Sequence, residues 1–289
     1  MSRRSVWVEE IRWRWLLSEA SIPVSCSGIE VAMIENTERF TGRVGDYERY
    51  RSRYPSQVID ILKDRCGLLP EHHVADVGAG TGMLSELFLQ YGNSVVAVEP
   101  NDEMRAACEE LASAWPGLLV KKGTAEETGL MTESVDLVSA GRAFHWFDAV
   151  RAGQEFRRIV RPGGWVVLLT NSRVRDDSPQ SMAFEGLLRE HGTDYAANRK
   201  RYEIDSTIEE FFRGGELFRE EIAGQQCLTL EELLGFTQSL SVTPEAGHPK
   251  YEEMQAALRE FFAKWQRDEV VTTPTVCRMA CVRFAANTR

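Results

Sequence analysis

A short glycine-rich stretch has the residue types and spacing to hold a polar small molecule. Asp76 is followed by glycines at 78, 80 and 82 in the sequence Asp76-Val-Gly-Ala-Gly-Thr-Gly82. Glycine adopts positive φ and lets the backbone lie close to a ligand. The third glycine of a dinucleotide fingerprint would fall at position 83, which is Met, and no Gly-Lys-Ser/Thr of a phosphate-binding loop follows. The spacing therefore differs from both loops that grip phosphates.

A second acid lies at the end of the next apolar run. Glu99 closes the run Ser94–Glu99, 23 residues after Asp76. A carboxylate at this point of a nucleotide-binding fold accepts hydrogen bonds from two ribose hydroxyls. A nicotinamide enzyme would also use an acid there, so Glu99 alone does not identify the ligand.

Three further candidates lie in the stretch Ala140-Gly-Arg-Ala-Phe-His-Trp-Phe147. His145 follows the carboxyl end of a predicted strand, where ligands bind in open sheets, and has the chemistry of a general base. A lone histidine is as often a structural hydrogen-bonding residue, and both interpretations stay open. Arg142 has the planar donor geometry that grips a carboxylate, and Trp146 is the aromatic residue expected to meet a substrate.

The elements around these residues alternate between short apolar strands and amphipathic helices. Strand, crossover and parallel strand define a doubly wound α/β sheet. The tail Thr275–Phe284 alternates apolar and polar residues, which predicts an antiparallel edge strand. Residues 171–222 interrupt the pattern and are expected to form a helical cap insertion. Seven strands are predicted, at 74–77, 94–99, 118–121, 135–139, 165–170, 225–229 and 275–284.

Asp76-Val-Gly-Ala-Gly-Thr-Gly82 resembles motif I of the class I S-adenosylmethionine-dependent methyltransferases, which have a Rossmann-like fold. The resemblance implies S-adenosyl-L-methionine as cofactor. It places Asp76 near the methionine ammonium, directly or through water, and Glu99 on the ribose hydroxyls. Gly123-Thr-Ala-Glu126 resembles the family segment that contacts the adenine, which points to Ala125 and Glu126.

The resemblance extends from about residue 40 to about residue 284. The stretch 140–147 is similar to motif IV of a small-molecule branch, Arg161-Pro-Gly-Gly164 matches the turn before its fifth strand, and 40–55 resembles its leading segment. That branch is the methyltransferase type 11 group that includes trans-aconitate methyltransferase-like proteins. The cofactor-binding residues implied are Tyr47, Asp76, Gly78, Ala79, Gly80, Gly82, Glu99, Pro100, Met104, Ala125, Glu126 and Ala140.

The activity expected from this resemblance is methylation of a small molecule. An anionic carboxylic acid is the favoured acceptor, because it is already a nucleophile and needs only cations such as Arg142 to position it. A phenol or hydroxyl acceptor would instead use His145 as base. The alternatives are N- or C-methylation of a metabolite, or a protein that binds S-adenosylmethionine without catalysis.

The segment around the tyrosines has two open interpretations. Tyr47, Tyr50 and Tyr54 recur at three- and four-residue spacing, which predicts one helical face. That face either packs on the sheet or forms a lid over cofactor and substrate. The arginines at 49–53 are interpreted as a solvated face.

Composition limits the remaining possibilities. The 289 residues carry a formal net charge of −10, which argues against nucleic-acid binding. No apolar run has the length of a membrane span, and the six scattered cysteines show neither metal-ligand spacing nor a disulfide pattern. A cytoplasmic protein with no metal site and no membrane partner is expected, with its oligomeric state open. Residues 1–32 are expected to be a disordered or mis-set leader before a methyltransferase domain at 33–289.

Overall fold

The computed structural model describes residues 44–193, 195, 208, 211 and 215–284. The predicted leader at 1–32 lies outside these residues. One seven-stranded sheet forms the centre of the molecule, with the order β3-β2-β1-β4-β5-β7-β6. The strands are β1 His73–Val77, β2 Ser94–Val98, β3 Leu118–Lys121, β4 Val135–Gly141, β5 Val160–Arg173, β6 Glu216–Leu228 and β7 Val271–Arg283.

Helices cover both faces of the sheet. Among the described residues they are α1 Val44–Tyr50, α2 Gln57–Cys66, α3 Met83–Tyr91, α4 Asp102–Ala112, α5 Ala149–Ile159, α6 Pro179–His191, α7 Leu230–Gln238 and α8 Tyr251–Trp265, and Phe144–Trp146 forms a 3₁₀ turn. On one face the core is built around Leu62, Phe88 and Leu169, and on the other around Phe156 and Ile159. No helix among the described residues is long and apolar enough to cross a membrane.

Local sequence signals explain where the helices begin. Asn101 caps α4, because its Oδ1 accepts a 2.8 Å hydrogen bond from the amide of Met104. Asp148 caps α5 through the amides of Val150 and Arg151. Thr229 and Glu232 form a capping box at α7. Each cap satisfies backbone amides that have no partner inside the helix.

The mixed sheet confirms the predicted fold class. β1 pairs in parallel with β2 and β4, β2 with β3, and β4 with β5, whereas β7 runs antiparallel to both β5 and β6. The place of the C-terminal strand differs from the prediction, since β6 forms the edge and β7 lies one strand inside it. An alternating pattern reports that one face of a strand is buried, but not which strands flank it.

Two further predictions are corrected. The expected insertion at 171–222 overlaps both neighbouring strands, because β5 continues to Arg173 and β6 already begins at Glu216. Pairing with β7 extends both strands over polar residues that show no strand pattern in the sequence. The three tyrosines do not share a helical face either: α1 ends at Tyr50, and Tyr54 lies between α1 and α2, outside any helix or strand.

Candidate functional site

The glycine loop connects β1 to α3 at the carboxyl end of the sheet. Gly78, Gly80 and Gly82 all have positive φ, at 68°, 58° and 88°. The Gly78 amide donates a 2.8 Å hydrogen bond to the carbonyl of Val98 at the end of β2. Glycine at these three positions avoids the strain that a side chain meets in this backbone region.

The surroundings of the three glycines differ. A Cβ at Gly78 would lie 2.6 Å from Cβ of Ala143, and one at Gly82 would lie 2.8 Å from Cδ2 of Leu111. A Cβ at Gly80 would meet no atom within 4 Å. Gly78 and Gly82 are therefore required by packing inside the protein, whereas Gly80 borders open space. A loop that presents bare backbone to open space fits a cofactor that approaches it closely.

Glu99 follows β2 and holds the loop. Its Oε2 accepts a 2.8 Å hydrogen bond from the Gly80 amide, and its Oε1 accepts a 2.9 Å bond from the Asn101 amide. The residue is only 7% exposed, and burial raises the pKa of this carboxyl although both amide bonds lower it. Each carboxylate oxygen keeps capacity for another donor, so the predicted bonds from ribose hydroxyls fit this geometry.

Asp76 is fully buried and joins three elements. Its Oδ2 accepts a 2.7 Å hydrogen bond from Ser85 of α3, and its Oδ1 accepts a 2.9 Å bond from Ser139 of β4. Burial raises the pKa of Asp76 to about 6, although the serine bonds lower it. The two serines were not found from the sequence, since neither is adjacent to Asp76 in the chain. Asp76 therefore ties β1 to α3 and β4 on either side of the loop, and its predicted place near the methionine ammonium stays a prediction.

A cavity of about 20 Å³ lies over the loop. It brings together six residues predicted from the sequence, namely Tyr47, Asp76, Gly78, Ala79, Gly80 and Arg142. Tyr54 also lines this cavity. A Cβ added at Gly141 would collide with the hydroxyl oxygen of Tyr54. Burial raises the pKa of Tyr54 well above its ordinary value. The sequence pattern did not distinguish the role of Tyr54 from that of Tyr47.

The remaining predicted cofactor residues differ in burial. Met104, Ala125 and Ala140 are buried, and Pro100 is half-buried. Glu126 accepts a 2.8 Å hydrogen bond from the Asp148 amide at the start of α5. The contacts of Glu126 thus position a helix, and its predicted contact with adenine stays a prediction.

A larger cavity of about 520 Å³ lies beside the loop at the carboxyl ends of β4 and β5. Its walls include two of the three residues predicted for chemistry, Arg142 and His145. Arg142 also borders the small cavity, so it stands between the two. Trp146 is not in the wall, and its ring lies 4.8 Å from that of His145, centroid to centroid.

Arg142 holds the chain that follows α1. Its Nη2 donates a 2.6 Å hydrogen bond to the carbonyl of Ser52, and its Nε donates a 3.1 Å bond to the carbonyl of Asn171. The guanidinium carbon is 5.3 Å from the centre of the Tyr54 ring. Arg142 has φ of 56°, an uncommon conformation for a residue with a side chain and one that clusters at functional sites. Arg142 therefore has a structural role, and its contact with a carboxylate stays a prediction.

The large cavity is rich in arginine. Among the described residues of its wall there are six arginines, at 51, 142, 173, 175, 219 and 278, and two glutamates, at 220 and 221. Arg51 was interpreted as part of a solvated face, but it is half-buried, lies 5.0 Å from the Tyr47 ring and donates to the Ser239 carbonyl. Sequence reasoning missed the arginines of β5, β6 and β7, because strands distant in the chain bring them together.

The covering helices are tied to each other. Tyr50 of α1 packs against Gly235 of α7, where any side chain would collide with its ring. Tyr50 and Arg49 both donate to Glu231 of α7, at 3.2 and 3.0 Å. The helix beside the small cavity and a helix beside the large cavity are thus in direct contact.

Comparison with known proteins matches the part of the chain that carries the loop. Residues 75–168 match the family model Methyltransf_11, described as a methyltransferase domain. Residues 75–168 are therefore similar to a methyltransferase domain. The structure is similar to one described as a type II methyltransferase from Anaeromyxobacter dehalogenans, with a TM-score of 0.60 and 23% identity, covering 81% of this chain and 97% of that one.

Two curated relatives are similar over shorter stretches. An uncharacterized methyltransferase of Mycobacterium tuberculosis is 42% identical over 134 residues, which are 46% of this chain and 52% of the relative. Malonyl-[acyl-carrier protein] O-methyltransferase of Hamiltonella defensa is 29% identical over 110 residues, covering 38% of this chain and 42% of the relative. The chain spans about half the length of these curated relatives.

Proposed function

We propose that the protein transfers a methyl group from S-adenosyl-L-methionine to a small molecule, with O-methylation of an anionic carboxylic acid as the favoured reaction. The observation that carries this proposal is the position of Arg142. It borders both the cavity over the glycine loop and the arginine-rich cavity beside it. A residue between the two cavities can bind an acceptor at the point where the acceptor meets the cofactor.

The chemical groups of the residues around the loop match those of the cofactor. Glu99 offers acceptors for the ribose hydroxyls, Asp76 gives negative charge near the methionine ammonium, and Gly80 leaves room beside the backbone. S-adenosylmethionine supplies a methyl group already activated by its sulfonium. The work left to the protein is to align the acceptor and to exclude water.

The arginines of the large cavity support an anionic acceptor. Six guanidinium groups against two carboxylates give the described wall a positive charge that attracts acids. A volume of about 520 Å³ is in the range of small-molecule sites. One curated relative is named as an O-methyltransferase, which agrees with an oxygen as acceptor atom. The same proposal includes membership of the trans-aconitate methyltransferase-like branch. It also includes a cytoplasmic location and no nucleic-acid or membrane partner.

The test is a methyl-transfer assay on the full-length protein. S-adenosylmethionine is incubated with single carboxylic acids, and S-adenosylhomocysteine and methyl esters are measured by mass spectrometry. We expect esters from at least one acid and a loss of about tenfold or more in kcat/KM in Arg142→Gln, because an arginine–carboxylate contact is charge-assisted. Arg189→Gln, an exposed arginine on α6 outside the cavity wall, is the matched control.

The outcomes separate the alternatives. Cofactor binding without methyl transfer to any acceptor would favour the non-catalytic binding protein. Methylation of phenols or alcohols that is abolished in His145→Ala would replace the carboxylate by a hydroxyl acceptor with His145 as base. Products methylated on nitrogen or carbon would favour the remaining alternative.

A further inference from the structure

Two cysteine side chains that are distant in the chain meet where α2 ends. Cys66 is the last residue of α2, and Cys281 lies on β7. The two side chains are hydrogen-bonded to each other, and both are free thiols in this structure. Cys281 belongs to the apolar core on this face of the sheet, and Cys66 packs against the same core. No spacing pattern among the six cysteines of the sequence predicts this pair, because only the fold brings them together.

The residues beside the two cysteines are also in contact. Phe218 of β6 is the partner of Cys281 across the sheet. The guanidinium carbon of Arg65, the residue before Cys66, lies 4.3 Å from the centre of the Phe218 ring. Nη1 of Arg65 lies 2.6 Å from Oε1 of Glu220, which is also on β6. Two side-chain contacts therefore hold the C-terminal end of α2 on β6, directly beside Cys281.

The two thiols differ in their access to solvent. Cys66 is half-buried, whereas Cys281 is 0% exposed. The hydrogen bond with Cys66 and burial both raise the pKa of the Cys281 thiol well above its usual range. The attacking species in disulfide exchange is a thiolate, and access to the sulfur controls the rate. Cys66 is therefore the cysteine that an external reagent reaches first, and Cys281 is placed to react with Cys66 afterwards.

We propose that Cys66 and Cys281 form a site of thiol–disulfide exchange, at which a low-molecular-weight disulfide oxidises them to one intramolecular disulfide. First, the Cys66 thiolate attacks one sulfur of that reagent, and a small thiolate leaves. Next, Cys281 gives up its proton and attacks the Cys66 sulfur of the mixed disulfide, and a second small thiolate leaves. The small thiolates take up the two protons that the cysteines lose. Two protein thiols are thus oxidised, and one external disulfide is reduced.

A disulfide at this site restrains α2 against the sheet. α2 begins at Gln57, shortly after Ser52, whose carbonyl accepts the hydrogen bond from Arg142. Met279, two residues before Cys281 on β7, lines the large cavity. Neither of the two cysteines is among the described residues that line the two cavities. The exchange reaction is therefore separate from cofactor and acceptor binding, and this inference does not rest on the proposed function.

The test uses the reduced full-length protein and oxidised glutathione. After incubation, the remaining thiols are blocked with N-ethylmaleimide in denaturant, and the protein is digested without reduction for mass spectrometry. We expect a peptide pair joined through Cys66 and Cys281, which is lost when dithiothreitol is added. Cys66→Ser should lose the pair and leave Cys281 as a blocked thiol, and Cys281→Ala should stop at glutathione bound to Cys66. Cys227→Ser removes an exposed cysteine of β6 and is the matched control, in which the pair should form as in the wild type.

The outcomes that contradict the site are distinct. Thermal melting shows whether each variant is folded, and the wild type alone decides the test if a variant is not. Glutathione that stays on Cys66 in the folded wild type, or no reaction at Cys66, would overturn the proposal. A disulfide that joins either cysteine to a different one would do so as well. Formation of the pair only in the presence of urea would have the same meaning, because the contact in the folded protein carries the proposal.

Discussion

The amide of Gly80 donates a 2.8 Å hydrogen bond to Oε2 of Glu99, so the glycine loop after β1 is attached to the acid that ends β2. The same carboxylate receives the Asn101 amide at the start of α4. One side chain thus fixes the loop, the strand end and the helix start relative to one another. A cofactor that binds to Glu99 would therefore contact a loop that Glu99 already holds in position.

Replacement of this acid tests the cofactor site. Glu99→Ala removes both amide bonds and the acceptors for the ribose, and we expect a loss of tenfold or more in affinity for S-adenosylmethionine, since hydrogen bonds to a charged group contribute about 1.5–3 kcal/mol each. Isothermal titration calorimetry of the full chain measures it. Glu110→Ala, at an exposed position on α4, should bind as the wild type does. Unchanged affinity in folded Glu99→Ala would contradict the site.

The glycines of the loop should respond differently to the same substitution. Gly80→Ala places its methyl in open space, so the protein should stay folded, with a cost of about 1 kcal/mol for the positive φ. Its affinity for S-adenosylmethionine should fall, because the methyl occupies the space beside the backbone. Gly78→Ala collides with Ala143 and should lower the melting temperature more. Thermal melting with and without the cofactor gives both quantities, and equal melting temperatures of the two variants would be inconsistent with this packing.

The pKa of Asp76 has a consequence for stability. Burial raises it from 3.8 to about 6, so the folded state holds this proton more tightly than the unfolded chain does. The resulting stabilisation is complete below pH 3.8 and is lost as the pH rises to about 6. Between about pH 4.5 and about pH 7 the contribution amounts to about 2 kcal/mol.

Asp76→Asn removes this titration. The hydroxyls of Ser85 and Ser139 can donate to the oxygen of the new amide or accept from its nitrogen. We therefore expect the wild type to lose stability relative to Asp76→Asn as the pH rises through this range. Urea unfolding at several pH values measures the difference. A constant difference across the range would show that Asp76 is not buried in the way described.

Local signals predicted the elements that hold the loop. Gly82 and Gly92, both at positive φ, mark the two ends of α3. Asn101, an asparagine directly before α4, caps that helix. These features depend on residues within a few positions of each other. The long-range partners followed no such signal: Ser139, 63 residues from Asp76, and Ser52, 90 residues from Arg142, meet them only through the sheet and the chain that covers it.

The sequence by itself determined the class of fold and the glycine loop, because positive-φ glycines, helix caps and buried apolar strands are encoded by neighbouring residues. Tertiary structure decided that β7 lies between β5 and β6 in the sheet. It also brought arginines from three strands together around one cavity. Strand order and cavity charge depend on which surfaces pack together across the sheet. Backbone preference is local, whereas packing and electrostatics act between residues that are distant in the chain, so only the folded molecule reveals the arginine-rich cavity.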